Sequence, residues 1–359
     1  MKNLKKILAM ILVLAMMFTL AACGAKQEPA PAAPAEPAAN EPAAETVDYG
    51  DPVVLTLAHI RPEGSSADLA IKAFCAEVTE LSGGTITFEI YPASQLGDYT
   101  TVFERVMIGD VDMQCATVPT SVDKFFGISN CCYLASNWEE AHDMFASGSP
   151  IGKAVDETLA EYGVKYLCMY PFYFGGIATK VDPVDPTNPD AKSGIKIRVP
   201  SMTSFEKCAE NLGYLGTPLP SSETFTSIQT GVVDGAIGMG AEGYYSNVAD
   251  LINYYLPIND HFECWNFIMN MDKFNGLSAV QQEALTVAAQ NAEAKRWEVA
   301  EAETAEYEKK LADEYGVTVV EFTDEQLAAF ASKCRANVWP LVRDDFGGEL
   351  FDQVTAGKN

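Results

Sequence analysis

Between Ser278 and Gly316 neither proline nor glycine interrupts the chain, and Ser278 is a residue type that caps helices. The stretch from Ala279 to about Tyr315 is therefore predicted to form one helix. At 1.5 Å per residue it would exceed about 50 Å, longer than a single small domain is wide. Glu293, Lys295, Arg296, Glu298, Glu301 and Glu303 make it a partly solvated spine rather than a buried rod. No sustained heptad repeat supports a coiled coil. A helix of this length needs a long body beneath it, and two lobes side by side would supply one.

The preceding sequence alternates in a way that builds such lobes. Val53 to Ala58 reads as a buried strand. Ser65 and Ser66 then cap a helix whose apolar positions Ala67, Ala70, Ile71, Phe74, Val78 and Leu81 recur at helical spacing. Gly83-Gly84 stops it, and Thr85 to Tyr91 is a second strand. A helix from about Tyr99 to Ile108 precedes a strand at Val111 to Thr117. The grammar restarts near Lys165, with strands at 166–170, 175–179, 194–199 and 232–238 and helices at 202–212 and 224–230. This pattern predicts two α/β cores, each a mostly parallel sheet covered on both faces, with a groove between them. One lobe is assigned residues 52–173 with part of 258–345. The other takes 174–257 with part of 276–345, and the helix over 278–315 spans both.

The N-terminus carries a different signal. Lys2, Lys5 and Lys6 precede an apolar run from Ile7 to Leu20, the pattern of a secretory signal peptide over residues 1–22. That run is short for a bilayer span, which takes about 20 residues. Leu20-Ala21-Ala22-Cys23 resembles a bacterial lipobox, which implies cleavage before Cys23 and a lipid on its sulfur. Residues 23–51 then form a linker built almost wholly of Ala, Pro and Glu after the cysteine. Nothing in it repays the entropy of ordering, so it reads as an extended leash. The expected location is outside the cytoplasm, tethered by lipid to the cell membrane, at the cell surface or in the periplasm.

Charge and cysteine usage narrow the function further. With 24 basic and 50 acidic residues the chain carries a formal charge of −26. Loss of three signal-peptide lysines leaves 21 − 50 = −29. Such a surface repels nucleic acid and anionic lipid headgroups, and an anionic ligand would need a dedicated local cation. Besides Cys23, eight cysteines (75, 115, 131, 132, 168, 208, 264 and 334) are scattered through segments that read as strands and helices, with no C-x-x-C pair. They are expected to be mostly free, buried small hydrophobes. His59, His142 and His261 are too far apart from one another and from cysteines to suggest zinc, and neither metal nor cofactor is expected.

Three ordered stretches together resemble the solute-binding subunits of TRAP (tripartite ATP-independent periplasmic) transporters, the DctP-type family. They are Tyr91-Pro92-Ala93-Ser94-Gln95-Leu96-Gly97-Asp98, then Gly194-Ile195-Lys196-Ile197-Arg198-Val199-Pro200, then the run from Ser222 to Gly235 ending Gly231-Val232-Val233-Asp234-Gly235. The resemblance covers about residues 52–345. It implies two lobes that close on a small organic acid, usually a carboxylate, deliver it to membrane permease subunits and catalyse nothing. An exported hydrolase or other enzyme acting on a small organic acid is the alternative, although no nucleophile motif, metal cluster or cofactor fingerprint supports it.

Arg198 is the expected carboxylate ligand. Flanked by Ile197 and Val199, it points opposite to them in a strand, and its planar fork can hold both carboxylate oxygens. The resemblance adds Thr117 at a strand end, Ser201 just past Pro200, and Ser221 before the Glu223 helix. Gly176 and Gly238 stand where the sialic-acid-binding branch has an arginine and an asparagine, so that sugar acid is not expected. Tyr170, Phe172, Tyr173 and Phe174 could line the vacated space, and Arg61 could be a replacement cation. Gly238-Met239-Gly240-Ala241-Glu242-Gly243 matches G-x-G-x-x-G before a possible helix from Tyr244 to Tyr254. It comes too late in the chain for a dinucleotide site, and its glycines more simply allow close backbone approach. Hinge segments are expected near 172–176 and 256–262, and a monomer is the default.

Overall fold

The computed structural model describes residues 47–358; the signal segment, Cys23 and nearly all of the Ala/Pro/Glu linker lie outside the described residues. From Val53 the elements are β1 (Val53–His59), α1 (Ser66–Leu81), β2 (Ile86–Tyr91), α2 (Tyr99–Met107), β3 (Met113–Ala116), α3 (Trp138–Phe145), α4 (Pro150–Glu161) and β4 (Val164–Phe174). Next come β5 (Gly176–Thr179), β6 (Lys196–Val199), α5 (Thr203–Asn211), β7 (Leu215–Pro218), α6 (Thr224–Gln229), β8 (Gly235–Met239), α7 (Ala241–Val248) and β9 (Tyr254–Leu256). The chain closes with β10 (Phe262–Asn270), α8 (Met271–Asn275), α9 (Ala279–Tyr315), β11 (Thr318–Val319), α10 (Asp324–Val342) and α11 (Gly348–Thr355).

These strands form two sheets, ordered β2-β1-β3-β10-β4 and β11-β9-β5-β8-β6-β7. Among the described residues the chain passes between them three times: at Gly175, between β4 and β5; across residues 257–261, between β9 and β10; and along α9, between β10 and β11. Those crossings change the sheets from the expected mostly parallel form to a mixed one. Strand β10, returning from the second sheet, runs antiparallel to both β3 and β4. In the second sheet β5 is antiparallel to β8 and β9, whereas β6 is parallel to β7 and β8. A strand arriving from the neighbouring lobe enters the sheet from the opposite end, so its direction follows from the crossover, not from local sequence.

Helix α9 runs unbroken for 37 residues. Ser278 and Gln281 form a reciprocal capping box at its start, and Gly316, at φ 69°, ends it in the left-handed conformation that suits glycine. Its first half buries Gln281, Ala284, Leu285, Ala288 and Ala289, the i, i+3, i+4 stripe of a core-facing helix. It packs on α1 and β4 below the first sheet and on α7 and β11 beside the second. The charged face is only partly solvated. Lys295, Glu298 and Glu301 are exposed, but Glu293 and Arg296 are buried. Glu293 accepts from the Ser147 backbone N–H at 2.8 Å. Arg296 donates from Nε to the Pro171 carbonyl at 3.1 Å and from Nη2 to that of Phe172 at 3.3 Å, clamping the helix to the first crossing.

Four apolar clusters fill the interior, two of them under each sheet, and all eight described cysteines are free and buried within them. The helix expected from Tyr244 to Tyr254 instead spans Ala241–Val248 and gives way to β9, because Tyr254 and Tyr255 pair with the β11 strand that follows α9. No helix among the described residues is long and apolar enough to cross a membrane.

Candidate functional site

Strand β6 alternates as its sequence demands. Ile197 and Val199 face one apolar cluster, and Arg198 between them turns to the other side. Arg198 is 3 % exposed. Its Nε donates to the Leu219 carbonyl at 3.0 Å, while its two terminal nitrogens make no hydrogen bond or ion pair among the described residues. Burial pulls its pKa below the usual arginine value, although Tyr99, Tyr244, Asp98 and Glu263 oppose that. A buried guanidinium without a counter-ion is costly, so this fork is built to receive one.

The fork opens on a cavity of about 40 Å³ between the two sheets. By the roughly 10–15 Å³ that one water centre needs, it has room for about three. Among its walls are Tyr99, Thr117, Asn130, Tyr173, Ser221 and Gly238, with Met202 and Phe205 from α5 and Glu263 and Trp265 from β10. Glu263 and Trp265 are two apart and share one face of β10. A register shift in the β4–β10 ladder sets Tyr173 opposite Glu263 and Tyr170 opposite Trp265. That extra residue in β4 turns Tyr173 to the cavity side.

Glu263 is the most heavily bonded group of the site. Its Oε1 accepts from Thr117 Oγ1 at 3.0 Å and Trp265 Nε1 at 2.7 Å. Its Oε2 accepts from Asn130 Nδ2 at 2.8 Å and lies 3.2 Å from His261 Nε2. His261, fully buried, holds Asp260 Oδ2 at 2.7 Å through Nδ1. Burial lowers its pKa, but Asp260 and Glu263 outweigh that and lift it to about 9, so both ring nitrogens donate at neutral pH.

Arg61 enters the same cavity but is already paired. Its Nε donates to Glu242 Oε2 at 3.1 Å, Nη2 donates to the Tyr173 hydroxyl, and its guanidinium lies 5.2 Å from the Trp265 ring centroid. Burial would lower its pKa; Tyr173, Glu242 and Glu263 together raise it instead. The Arg61–Glu242 pair joins the loop after β1 to α7, across the two sheets.

Of the residues expected from sequence, Arg198, Thr117, Ser221, Gly238, Arg61 and Tyr173 thus converge on one cavity. Two do not. Ser201 is exposed and borders a separate surface depression with Thr120 and Lys124, because the chain turns outward after Pro200. Gly176 is buried against the Leu256 carbonyl and the Tyr255 ring, where its missing side chain admits the neighbouring strand. Tyr170 and Phe172 pack with Phe267 and Trp265 in the core, and Phe174 with Trp138 and Phe262. The glycines at 240 and 243 serve close approach: a Cβ at 240 would meet the Tyr173 ring, and one at 243 would lie 2.7 Å from Arg61 Nη2. Sequence reasoning missed Glu263, Asn130 and Trp265. A lone acid inside the apolar run from Phe262 to Met269 was the available signal for the first; Asn130 had none.

Two α/β bodies joined by repeated chain crossings and, among the described residues, one buried cavity arginine without a carboxylate partner are the architecture of a receptor for a small solute. The sequence profile of the bacterial extracellular solute-binding proteins, family 7 (DctP), matches residues 57–341, and the chain belongs to that family. It is 30 % identical to a solute-binding protein of Albidiferax ferrireducens over 49 % of this chain and 51 % of that protein, so it aligns with about half the length of that relative. Identity to the ectoine-binding periplasmic protein TeaA of Halomonas elongata is 26 %, over 83 % of this chain and 88 % of TeaA. The crystal structure of the sugar acid binding protein DctPAm of Advenella mimigardefordensis, in complex with galactonate, superposes with a TM-score of 0.76. It has 22 % identity and covers 85 % of this chain and 97 % of that one.

Proposed function

We propose that this protein captures a small organic anion, a carboxylate, outside the cytoplasm and hands it to the membrane permease subunits of a TRAP transporter without chemically altering it. The observation that carries this reading is Arg198: buried, without a counter-ion, and presenting both free terminal nitrogens to the cavity. A carboxylate would satisfy that fork bidentately and supply the missing charge. The DctPAm complex with a sugar acid supports an acid ligand, and the small cavity here favours a compact one. The lobes act as a hinge: they close over the ligand through turns at Gly175 and 257–261, and the Arg61–Glu242 pair holds them together. Cys23 carries the lipid that tethers the receptor after the signal peptide is removed.

Calorimetric titration of the folded protein with compact organic acids tests the assignment. Stoichiometric binding with the acid recovered unchanged supports a receptor. Turnover of the bound acid points to the exported-enzyme alternative, and saturation by uncharged analogues as tight as by the acids defeats the carboxylate reading. Solution scattering should show the radius of gyration shrinking when the identified acid saturates the protein.

A further inference from the structure

We propose that Glu263 sets the hydrogen-bond polarity of the cavity, so that the site takes a monocarboxylate carrying hydroxyl donors and rejects a dicarboxylate. The inference deepens the receptor reading above and rests on it. A carboxylate offers about four acceptor positions, and all four of Glu263's are filled by Thr117, Trp265, Asn130 and His261. Glu263 therefore has nothing left to offer a ligand directly; it acts by orienting its neighbours.

Three of those neighbours, Thr117, Asn130 and Trp265, also line the cavity, and the first two keep an acceptor free. Thr117 gives its only hydroxyl proton to Glu263, so toward the ligand its oxygen can only accept. Asn130 must turn its NH₂ toward the carboxylate, which fixes the amide orientation and leaves Oδ1 as the free end. That Oδ1 is buried and has no partner, on a side chain whose residue is 1 % exposed. An orphaned buried acceptor is costly until a donor reaches it. Trp265 spends its donor on Glu263, the protonated His261 divides its two between Glu263 and Asp260, and neither has one left for the ligand.

The remaining charges around Glu263 keep this arrangement in place. Arg61 is held by Glu242, and His261 is shared with Asp260. Arg198 is then the one cavity arginine, among the described residues, without a carboxylate partner. A ligand meets a cationic fork at one place and two acceptors backed by a negative charge at another. A first carboxylate satisfies the fork. A second one would bring acceptors to acceptors and charge to like charge, whereas hydroxyls would complete Thr117 and Asn130.

The test uses C4 acids of matched length: butanoate, 3-hydroxybutanoate, erythronate and succinate, titrated calorimetrically into wild type, Glu263→Gln and Thr117→Val. The wild type should favour the better of the two hydroxy acids over butanoate by about tenfold or more, the effect of leaving a buried acceptor unpaired, and bind succinate weakest. In Glu263→Gln the glutamine NH₂ donates, Thr117 and Asn130 can turn round, and the ranking should collapse, with succinate gaining. Should that variant fail to fold, Thr117→Val carries the test, since it removes one of the two acceptors and leaves every charge: its hydroxyl preference should shrink while butanoate still binds. Succinate binding wild type as tightly as the hydroxy acids overturns the inference and leaves the carboxylate receptor standing. An unchanged ranking in a folded Glu263→Gln variant overturns the role given to Glu263. Failure of every acid to bind wild type overturns the receptor reading for compact acids and this inference with it.

Discussion

Replacing Arg198 by methionine should move affinity and stability in opposite directions. In the empty protein the guanidinium is 3 % exposed and held by a single hydrogen bond, from Nε to the Leu219 carbonyl. Burial depresses its pKa, the mark of a charge that the fold does not welcome. Methionine of similar length removes the desolvation cost and keeps an apolar stem beside Gly238. The carbonyl of Leu219 loses its donor, a loss of about 1 kcal/mol that offsets part of the gain. The melting temperature of the ligand-free variant should therefore equal or exceed that of the wild type. Binding should suffer severely. Truncating one partner of a buried charge pair costs about 2–5 kcal/mol, which corresponds to about 30-fold to a few thousand-fold in Kd. Differential scanning calorimetry of both proteins, with and without a bound acid, reads both effects: the acid should raise the wild-type melting temperature and leave the variant's unmoved. A variant that melts several degrees lower when empty but keeps wild-type affinity would refute the reasoning and make Arg198 a structural cation.

Three further outcomes are expected. Gly238→Ala places a Cβ 2.5 Å from Pro200 Cγ at a backbone φ of +94°, so it should cost about 1–3 kcal/mol in a denaturant titration and weaken acid binding by pressing on the Arg198 wall; wild-type stability would show that this part of β8 relaxes freely. The pH profile of stability should fall on both sides. His261, lifted to about 9 from about 6.5 in the unfolded chain, contributes stability that is complete below pH 6.5 and lost as pH rises through 9. His59, lowered by burial to about 4 despite Asp68, contributes stability that is lost as pH falls from 6.5 toward 4; urea midpoints from pH 4 to 10 on wild type and His261→Gln check this, and an alkaline limb unchanged in the variant would exclude His261. Ser278→Ala removes one half of the α9 capping box and should destabilise by about 1 kcal/mol without touching affinity, which a paired denaturant and binding measurement resolves.

The parts of the fold legible in the sequence are those governed by near neighbours. Ser278 and Gly316 bracket α9 because capping and helix termination depend on residues within one turn. Ile197 and Val199 place Arg198 on the opposite face of β6 because side chains alternate along any strand. The same local reasoning located β1, β2 and the glycine-stopped α1 to within a residue or two. It did not foresee α3, α4, α10 or α11, whose mixed, partly exposed surfaces carry weaker periodicity.

What a period cannot say is which surface meets which. The antiparallel entry of β10 depends on the chain crossing between sheets at 175 and again at 257–261, a property of the whole path. Tyr173 reaches the cavity only because the β4–β10 register slips beside Glu263, and pairing register is a long-range choice that alternation within one strand does not encode. Thr117, Asn130, His261 and Trp265 gather on Glu263 from segments as far apart as 146 residues, so the saturation of that carboxylate exists only once β10 has returned to the first sheet beside β3. The sequence by itself thus determined that a cation would be buried in β6 and that a long helix would carry two α/β bodies. The tertiary structure alone decided which cation stays unpaired and which way Thr117 and Asn130 present their lone pairs. Burial of a side chain follows from local pattern, but its partners follow from contacts that the chain makes only on folding.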